Sequence, residues 1–324
     1  MEQHQVPIYL GALAAGGLVG WAAPDAGLEP LINPLLAALL YVTFLQVPAA
    51  ELIRSLRAKR FLGAALTVNF LVVPLVVAAM FPFLPDDRTV RIGVLLVLLA
   101  PCVDYVIVFS GLAGGSNQRL LAATPLLLIA QMVLLPFYLF VFLGAGLADV
   151  VEPGPFVEAF VVLIVAPLTL AWVTQAWAAR RAAGRKVADG ASTAMVPLMV
   201  AVLLIVVASQ VPKLGDRLPD VVRVVPYFVV FLLVMAFVGL GVAGAFRLDV
   251  PDTTAIVFTG ATRNSLVVLP LALALPGEPA GVVVAQTLVE VVGMVSYVRL
   301  VPRLTSRTAP RDGLPRRPAD SRPR

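Results

Sequence analysis

Cysteine and histidine are nearly absent: the 324 residues hold one of each, Cys102 and His4. A single cysteine excludes a disulfide framework, and a single histidine at the start excludes histidine-based metal clusters and Ser-His-Asp triads. Most redox and hydrolytic chemistry goes with them, so neither an enzyme nor a bound cofactor is expected. Lysine is scarce too, and Lys59, Lys186 and Lys213 all fall outside the apolar runs. A retinal Schiff base has no attachment point, which excludes a light-driven pump. No glycine-rich nucleotide loop is present, so ATP would have to come from a separate subunit. Charge is short as well: 13% of residues are charged and 60% hydrophobic, against ~25% and ~45–50% in a soluble chain. Strict alternation of apolar and polar residues is missing, which excludes a membrane β-barrel.

What remains is a chain whose solvent is lipid. A hydrocarbon core ~30 Å thick needs ~20 apolar residues per helix, and ten such segments are present, predicting an all-α polytopic membrane protein. Five run over Val6–Ala23, Leu31–Val47, Phe61–Phe81, Val90–Gly111 and Leu120–Leu143. Five more run over Phe156–Ala178, Met195–Val211, Val222–Phe246, Thr253–Leu275 and Gly281–Val301. Residues 1–143 thus form a first five-helix unit, 144–155 a linker, 156–301 a second unit, and 302–324 a tail. The first span has no basic residue before it and no cleavage pattern, so it reads as a retained helix. The tail places Arg303, Arg307, Arg311, Arg316, Arg317, Arg322 and Arg324 among prolines and polar residues, and reads as a disordered basic extension.

Basic residues resist translocation, so their distribution predicts orientation. With the N-terminus inside, the inner loops carry ten lysines and arginines and the outer loops five; Arg299 and the tail add eight inside. Both termini are therefore expected in the cytoplasm, with the chain in the plasma (inner) membrane. The net charge of +5 is explained by this bias and by attraction to anionic lipid, so no nucleic-acid partner is expected. Arg263, inside the ninth span, is the one basic residue that topology leaves unexplained.

Two halves of five spans have odd parity, so as repeats they must be inverted. The fourth and ninth spans then correspond, and both are interrupted: Ala100-Pro101-Cys102-Val103-Asp104 in one, Gly260-Ala261-Thr262-Arg263-Asn264 in the other. Pro101 removes a backbone donor and Gly260 weakens a helix, so both are candidate breaks. Taken alone, Pro101 is better read as a simple kink and Gly260 as a close helix approach. Two interruptions in corresponding positions point instead to a substrate site, because open backbone at membrane depth survives only beside protein or water.

Ionisable side chains within the spans are few: Asp104, Arg263 and Glu290, with Glu158 near an end. Each such charge costs roughly 2.5–3.5 kcal/mol on insertion scales and needs a partner or a wet cavity. Asp104 and Arg263 are predicted to pair where the interrupted spans cross, serving equally well as glue or as machinery. Glu290 is then the carboxylate left over, and a buried carboxyl is suited to carrying a proton. Cys102, read alone, is a small buried hydrophobe; its alternative is a soft ligand for a thiophilic substrate. Thr259, Thr262, Asn264 and Ser265 add neutral polar groups at the second break, whereas Gln46, Asn69, Gln131 and Gln210 suffice as interhelical hydrogen bonds.

These residues resemble the bile acid:sodium symporter superfamily over nearly the whole chain to Pro302. Ala100-Pro101-Cys102 and Leu288-Val289-Glu290-Val291 are similar to its arsenical-resistance permease branch, which exports arsenite with a cysteine in the fourth helix and exchanges it for protons. The resemblance implies a panel of spans 1, 2, 6 and 7, a core of spans 3 to 5 and 8 to 10, and a substrate between them. The branch pattern Ser-Asn-Asn-Phe-Glu is here Thr262-Arg263-Asn264-Ser265-Leu266, so its acid is replaced by Leu266. Asp104 stands where that branch has a neutral residue. In the bile-acid branch, positions matching Thr259, Arg263 and Asn264 bind sodium; a fixed guanidinium repels that ion and can take over its electrostatic role. Sodium coupling is therefore not expected.

The expectation is a secondary transporter exporting arsenite or a related metalloid against protons by alternating access. Cys102 would contact the transported metalloid, Asp104 and Arg263 form an ion pair, Asn264 and Ser265 line the site, and Glu290 respond to protons. The alternatives are a sodium-independent carrier of small organic anions drawn to Arg263, and a membrane receptor that moves nothing.

Overall fold

The computed structural model describes residues 5–24, 27–46, 58–102, 105–144, 161–214, 218–273, 275 and 279–308. Asp104, Glu158, the linker from residue 145 and the tail beyond residue 308 lie outside the described residues. The described chain is helical, and the described parts of the apolar segments lie on helix except at the interruptions near Pro101 and Arg263. In chain order the helices are α1 (Gln5–Ala22), α2 (Ile32–Leu45), α3 (Lys59–Phe83), α4 (Arg88–Leu98), α5 (Tyr105–Leu112) and α6 (Asn117–Leu143). They continue with α7 (Ala166–Arg180), α8 (Ala182–Thr193), α9 (Met195–Leu214), α10 (Leu218–Ala245), α11 (Val250–Ala261), α12 (Ser265–Leu273) and α13 (Ala280–Thr308).

Among the described residues, four helical stretches are long and apolar enough to cross a membrane: Lys59–Phe83, Leu126–Leu143, Val222–Ala245 and Gly281–Thr305. A fifth arises if Ala182–Thr193 and Met195–Ser209, bent by 43°, count as one. Large apolar side chains such as Leu75, Val133, Phe137, Phe237 and Val292 are exposed on these helices, as expected of a surface solvated by acyl chains rather than water. Two boundaries differ from the sequence reading. Helix α13 runs through Pro302 to Thr308, past the expected end at 301. Helix α8, short and polar after Arg180 and Arg181, stands where the sequence predicts a loop.

Packing sorts the helices into two groups. Helices α1, α2, α7, α8 and α9 pack on one another, α1 most closely on α9. Small residues make that approach possible: a Cβ on Gly16 would fall 2.6 Å from the Leu204 carbonyl oxygen, and one on Gly20 2.6 Å from that of Ala208. The other group is α3 to α6 with α10 to α13, and α13 is its spine, touching α10, α11, α12, α4 and α5. The groups meet where α13 lies on α9 and α12 on α2.

Helix α3 shows how a proline is accommodated at membrane depth. Pro74 has no N–H to give the Phe70 carbonyl one turn back, and an orphaned carbonyl in lipid is expensive. The Tyr138 hydroxyl of α6 donates to that carbonyl instead, at 2.5 Å. Just before it, the helix widens into a π-turn over Val68–Val72. This turn carries Asn69, a fully buried side chain.

Candidate functional site

The half-helices α4 and α11 begin alike: Asp87 Oδ1 accepts from Val90 N at 3.0 Å, and Asp249 Oδ1 from Asp252 N at 3.0 Å. Each carboxylate satisfies an orphan donor at the positive end of its helix. Both helices then run inward and stop at the breaks, where the chain becomes extended and the two segments pair. Cys102 N–H donates to Thr262 O at 3.3 Å and Asn264 N–H to Ala100 O at 2.7 Å, so Pro101 and Arg263 lie opposite each other in an antiparallel bridge. These bonds flank the Pro101–Arg263 pair and make it a non-hydrogen-bonded one. A proline fits there because that position asks for no N–H. For the same reason the Arg263 N–H points away from its partner segment, and it donates to Glu290 Oε2 of α13 at 2.8 Å.

Gly260 is the correction to the sequence reading. It lies inside α11, which continues to Ala261, and the interruption begins at Thr262. A Cβ on Gly260 would sit 2.8 Å from Val68 Cγ2 and 3.2 Å from Met235 Cε. Glycine is there so that α3 and α10 can approach, not to break the helix. Pro101, by contrast, is in the break itself.

Arg263 is fully buried. Its Nη2 donates to Thr259 O and Gly260 O at 2.7 Å each and to Asn69 Oδ1 at 2.9 Å; its Nη1 donates to Leu98 O at 3.3 Å. The Phe231 ring lies 5.7 Å from the guanidinium carbon. Thr259, Gly260 and Leu98 are in the last turns of α11 and α4, where main-chain carbonyls lack partners and the helix dipoles are negative. One guanidinium thus serves the ends of two helices. The π-turn of α3 orients the fourth oxygen, since Asn69 Nδ2 donates to Ala65 O at 2.9 Å and to Thr259 Oγ1 at 3.2 Å.

Glu290, also fully buried, takes the complementary position. Its Oε2 accepts from Arg263 N–H just before α12 begins, and from Gln286 Nε2 one turn earlier on α13. A carboxylate there meets the positive end of α12. Asn264 Oδ1 caps that helix by accepting from Val267 N at 3.1 Å, and Ser265 and Thr287 hydroxyls bond at 2.8 Å, tying α12 to α13. Cys102 is fully buried on the first break. Arg263, Asn264, Ser265, Glu290, Pro101 and Cys102 are therefore brought to one crossing. The expected Asp104–Arg263 pair lies outside the described residues.

Paired breaks of this kind suit a moving solute better than a fixed catalyst, and the comparisons agree. The chain matches the SBF-like CPA transporter family over residues 22–292. It belongs to that family. It is also 25% identical over 322 residues to the arsenical-resistance protein Acr3 of Corynebacterium glutamicum, covering 94% of this chain and 84% of that one. The resemblance carried by the two interrupted spans was thus sound at the level of family, and the chain is a multi-pass membrane transporter. Two residues of this SBF-like site escaped the sequence reading. Gln286 and Thr287 stand one turn and three residues before Glu290, a helical spacing that flags a polar face. Asn69 was read as an interhelical bond and is one, but to Arg263.

Proposed function

We propose that this transporter exports arsenite in exchange for protons, by alternating access. The observation that carries the reading is the crossing itself: a cysteine on one break, and on the other a main-chain N–H gripped by a buried carboxylate. The Acr3 relative, an arsenical-resistance protein, points to the substrate class. Arsenite is uncharged as As(OH)3 at neutral pH. The Cys102 thiol exchanges for one hydroxyl, forming an S–As bond and releasing water, with no change in oxidation state. A single sulfur holds such a solute weakly, as turnover requires.

In this reading the ten apolar segments are ten spans in two inverted repeats, 1–143 and 156–301, with both termini cytoplasmic. Helices α1, α2, α7 and α9 are the panel; α3 to α6 and α10 to α13 are the core. Asp104 and Arg263 hold the crossing, Asn264 and Ser265 line it, and Glu290 exchanges the proton. A proton on Glu290 weakens its grip on the Arg263 N–H, and so links protonation to the shape of the break. The organic-anion alternative loses ground because both Nη atoms of Arg263 are engaged by carbonyl and amide oxygens.

Everted vesicles with labelled arsenite test this. An imposed proton gradient is expected to accelerate accumulation and a sodium gradient to leave it unchanged; arsenite movement indifferent to protons would overturn the role of Glu290. A receptor that moves nothing would accumulate no label. Cys102→Ser is expected to abolish arsenite resistance in a sensitive host at normal membrane abundance, and retained resistance would remove the soft-ligand role.

A further inference from the structure

Two buried polar atoms at the crossing lack a hydrogen-bond partner among the described residues, and they are chemically complementary. Gln286 is 3% exposed; its Nε2 donates to Glu290 while its Oε1 is buried and unpartnered. Asn264 is 2% exposed; its Oδ1 caps α12 while its Nδ2 is buried and unpartnered. Leaving such an atom unbonded costs about 1–3 kcal/mol, so two in one site call for something that completes them. Their residues gather round one carboxylate: Glu290 Oε2 accepts both from Gln286 and from Arg263, the neighbour of Asn264 in the chain. Cys102 adjoins Asn264 across the pairing, since Cys102 N–H bonds Thr262 O and Asn264 N–H bonds Ala100 O. Helix α13 packs on α4 and α5, which flank Cys102, and a Cβ on Gly93 of α4 would fall 2.9 Å from Val282, one turn before Gln286. Side chains alternate along extended backbone, so Asn264 and Cys102 share the face of the paired segments opposite the Arg263 guanidinium.

We propose that Gln286 Oε1 and Asn264 Nδ2 are the hydroxyl-reading half of the substrate site, with Cys102 as its sulfur half. The inference rests on the arsenite reading above and deepens it: the solute is recognised as a small uncharged hydroxide. One acceptor and one donor suit two hydroxyls, whereas an oxyanion calls for donors alone. Once the thiol has displaced one hydroxyl of As(OH)3 as water, two remain. One donates to Gln286 Oε1, and the oxygen of the other accepts from Asn264 Nδ2. Because the far end of the same amide holds Glu290, solute and carboxyl share one side chain.

The test is initial-rate arsenite transport in proteoliposomes of the full chain. Gln286→Met keeps length and volume and removes the acceptor together with the bond to Glu290; Asn264→Gly, a tolerated residue before a helix, removes the donor outright. Each is expected to raise KM about tenfold, the equivalent of one net hydrogen bond; kcat stays within about twofold in Asn264→Gly and also falls in Gln286→Met, which frees Glu290. An unchanged KM in both variants, or a fall in kcat alone, overturns the inference while wild-type transport stands. Wild-type vesicles that carry no arsenite overturn the functional reading as well. If one variant accumulates poorly, the other decides, since one substitution lies in the second break and the other on α13.

Discussion

The two interrupted helices perform the same turn with opposite materials. Among its described residues, the first break offers carbonyls, a proline without a donor and a thiol. The second offers the charge, a main-chain N–H aimed at a carboxylate, and an amide that caps the helix beyond. Neither is self-sufficient. The first leaves the Leu98 carbonyl to be met by Arg263, and the second leaves its N–H to be met by Glu290. A broken helix in lipid must find donors for its last carbonyls and acceptors for its first N–H groups. Here one side chain answers the negative ends of two helices and another the positive end of a third.

That asymmetry can be put under strain. Arg263→Met is expected to have the largest effect: it strands three carbonyls and Asn69 Oδ1, and loss of a buried charged network costs roughly 3–5 kcal/mol. Thermal unfolding in detergent and abundance in the membrane check this, and a stable Arg263→Met protein would show that the guanidinium is not what closes the crossing. Gly260→Val is expected to be intermediate, about 1–3 kcal/mol from forced overlap with Val68, measured in the same way. Were it neutral, α3 and α10 would not rest against the second break as described. Pro101→Ala is expected to be mildest, about 1 kcal/mol, because the pairing leaves the new N–H pointing away from the partner segment. If Pro101→Ala proved as damaging as Arg263→Met, the first break would be no passive partner and the comparison would fail.

Much of this architecture could be read from residue types. Ten apolar segments announced the helices because lipid leaves composition little freedom, and Pro101 and Arg263 marked the breaks because such residues are rare in apolar runs. The partners of Arg263 were illegible for an equally physical reason: Leu98, Thr259 and Gly260 contribute main-chain oxygens, which every residue possesses. Gly260 misled because a glycine that breaks a helix and one that admits a neighbour look identical in sequence; only Val68 and Met235 distinguish them. Helix α8 escaped because Arg185, Lys186 and Asp189 on so short a stretch read as a loop. Gln286 was legible in principle, four residues before Glu290, but its unbonded Oε1 was not.

The Tyr138 hydroxyl has a mechanical consequence beyond repairing α3. A proline in a long rod is ordinarily a hinge, free to bend on its own. By taking the place of the missing amide proton, Tyr138 fastens that joint to α6, so flexing one rod drags the other. The joint at Pro74 therefore bends in company with α6, or gives up that hydrogen bond.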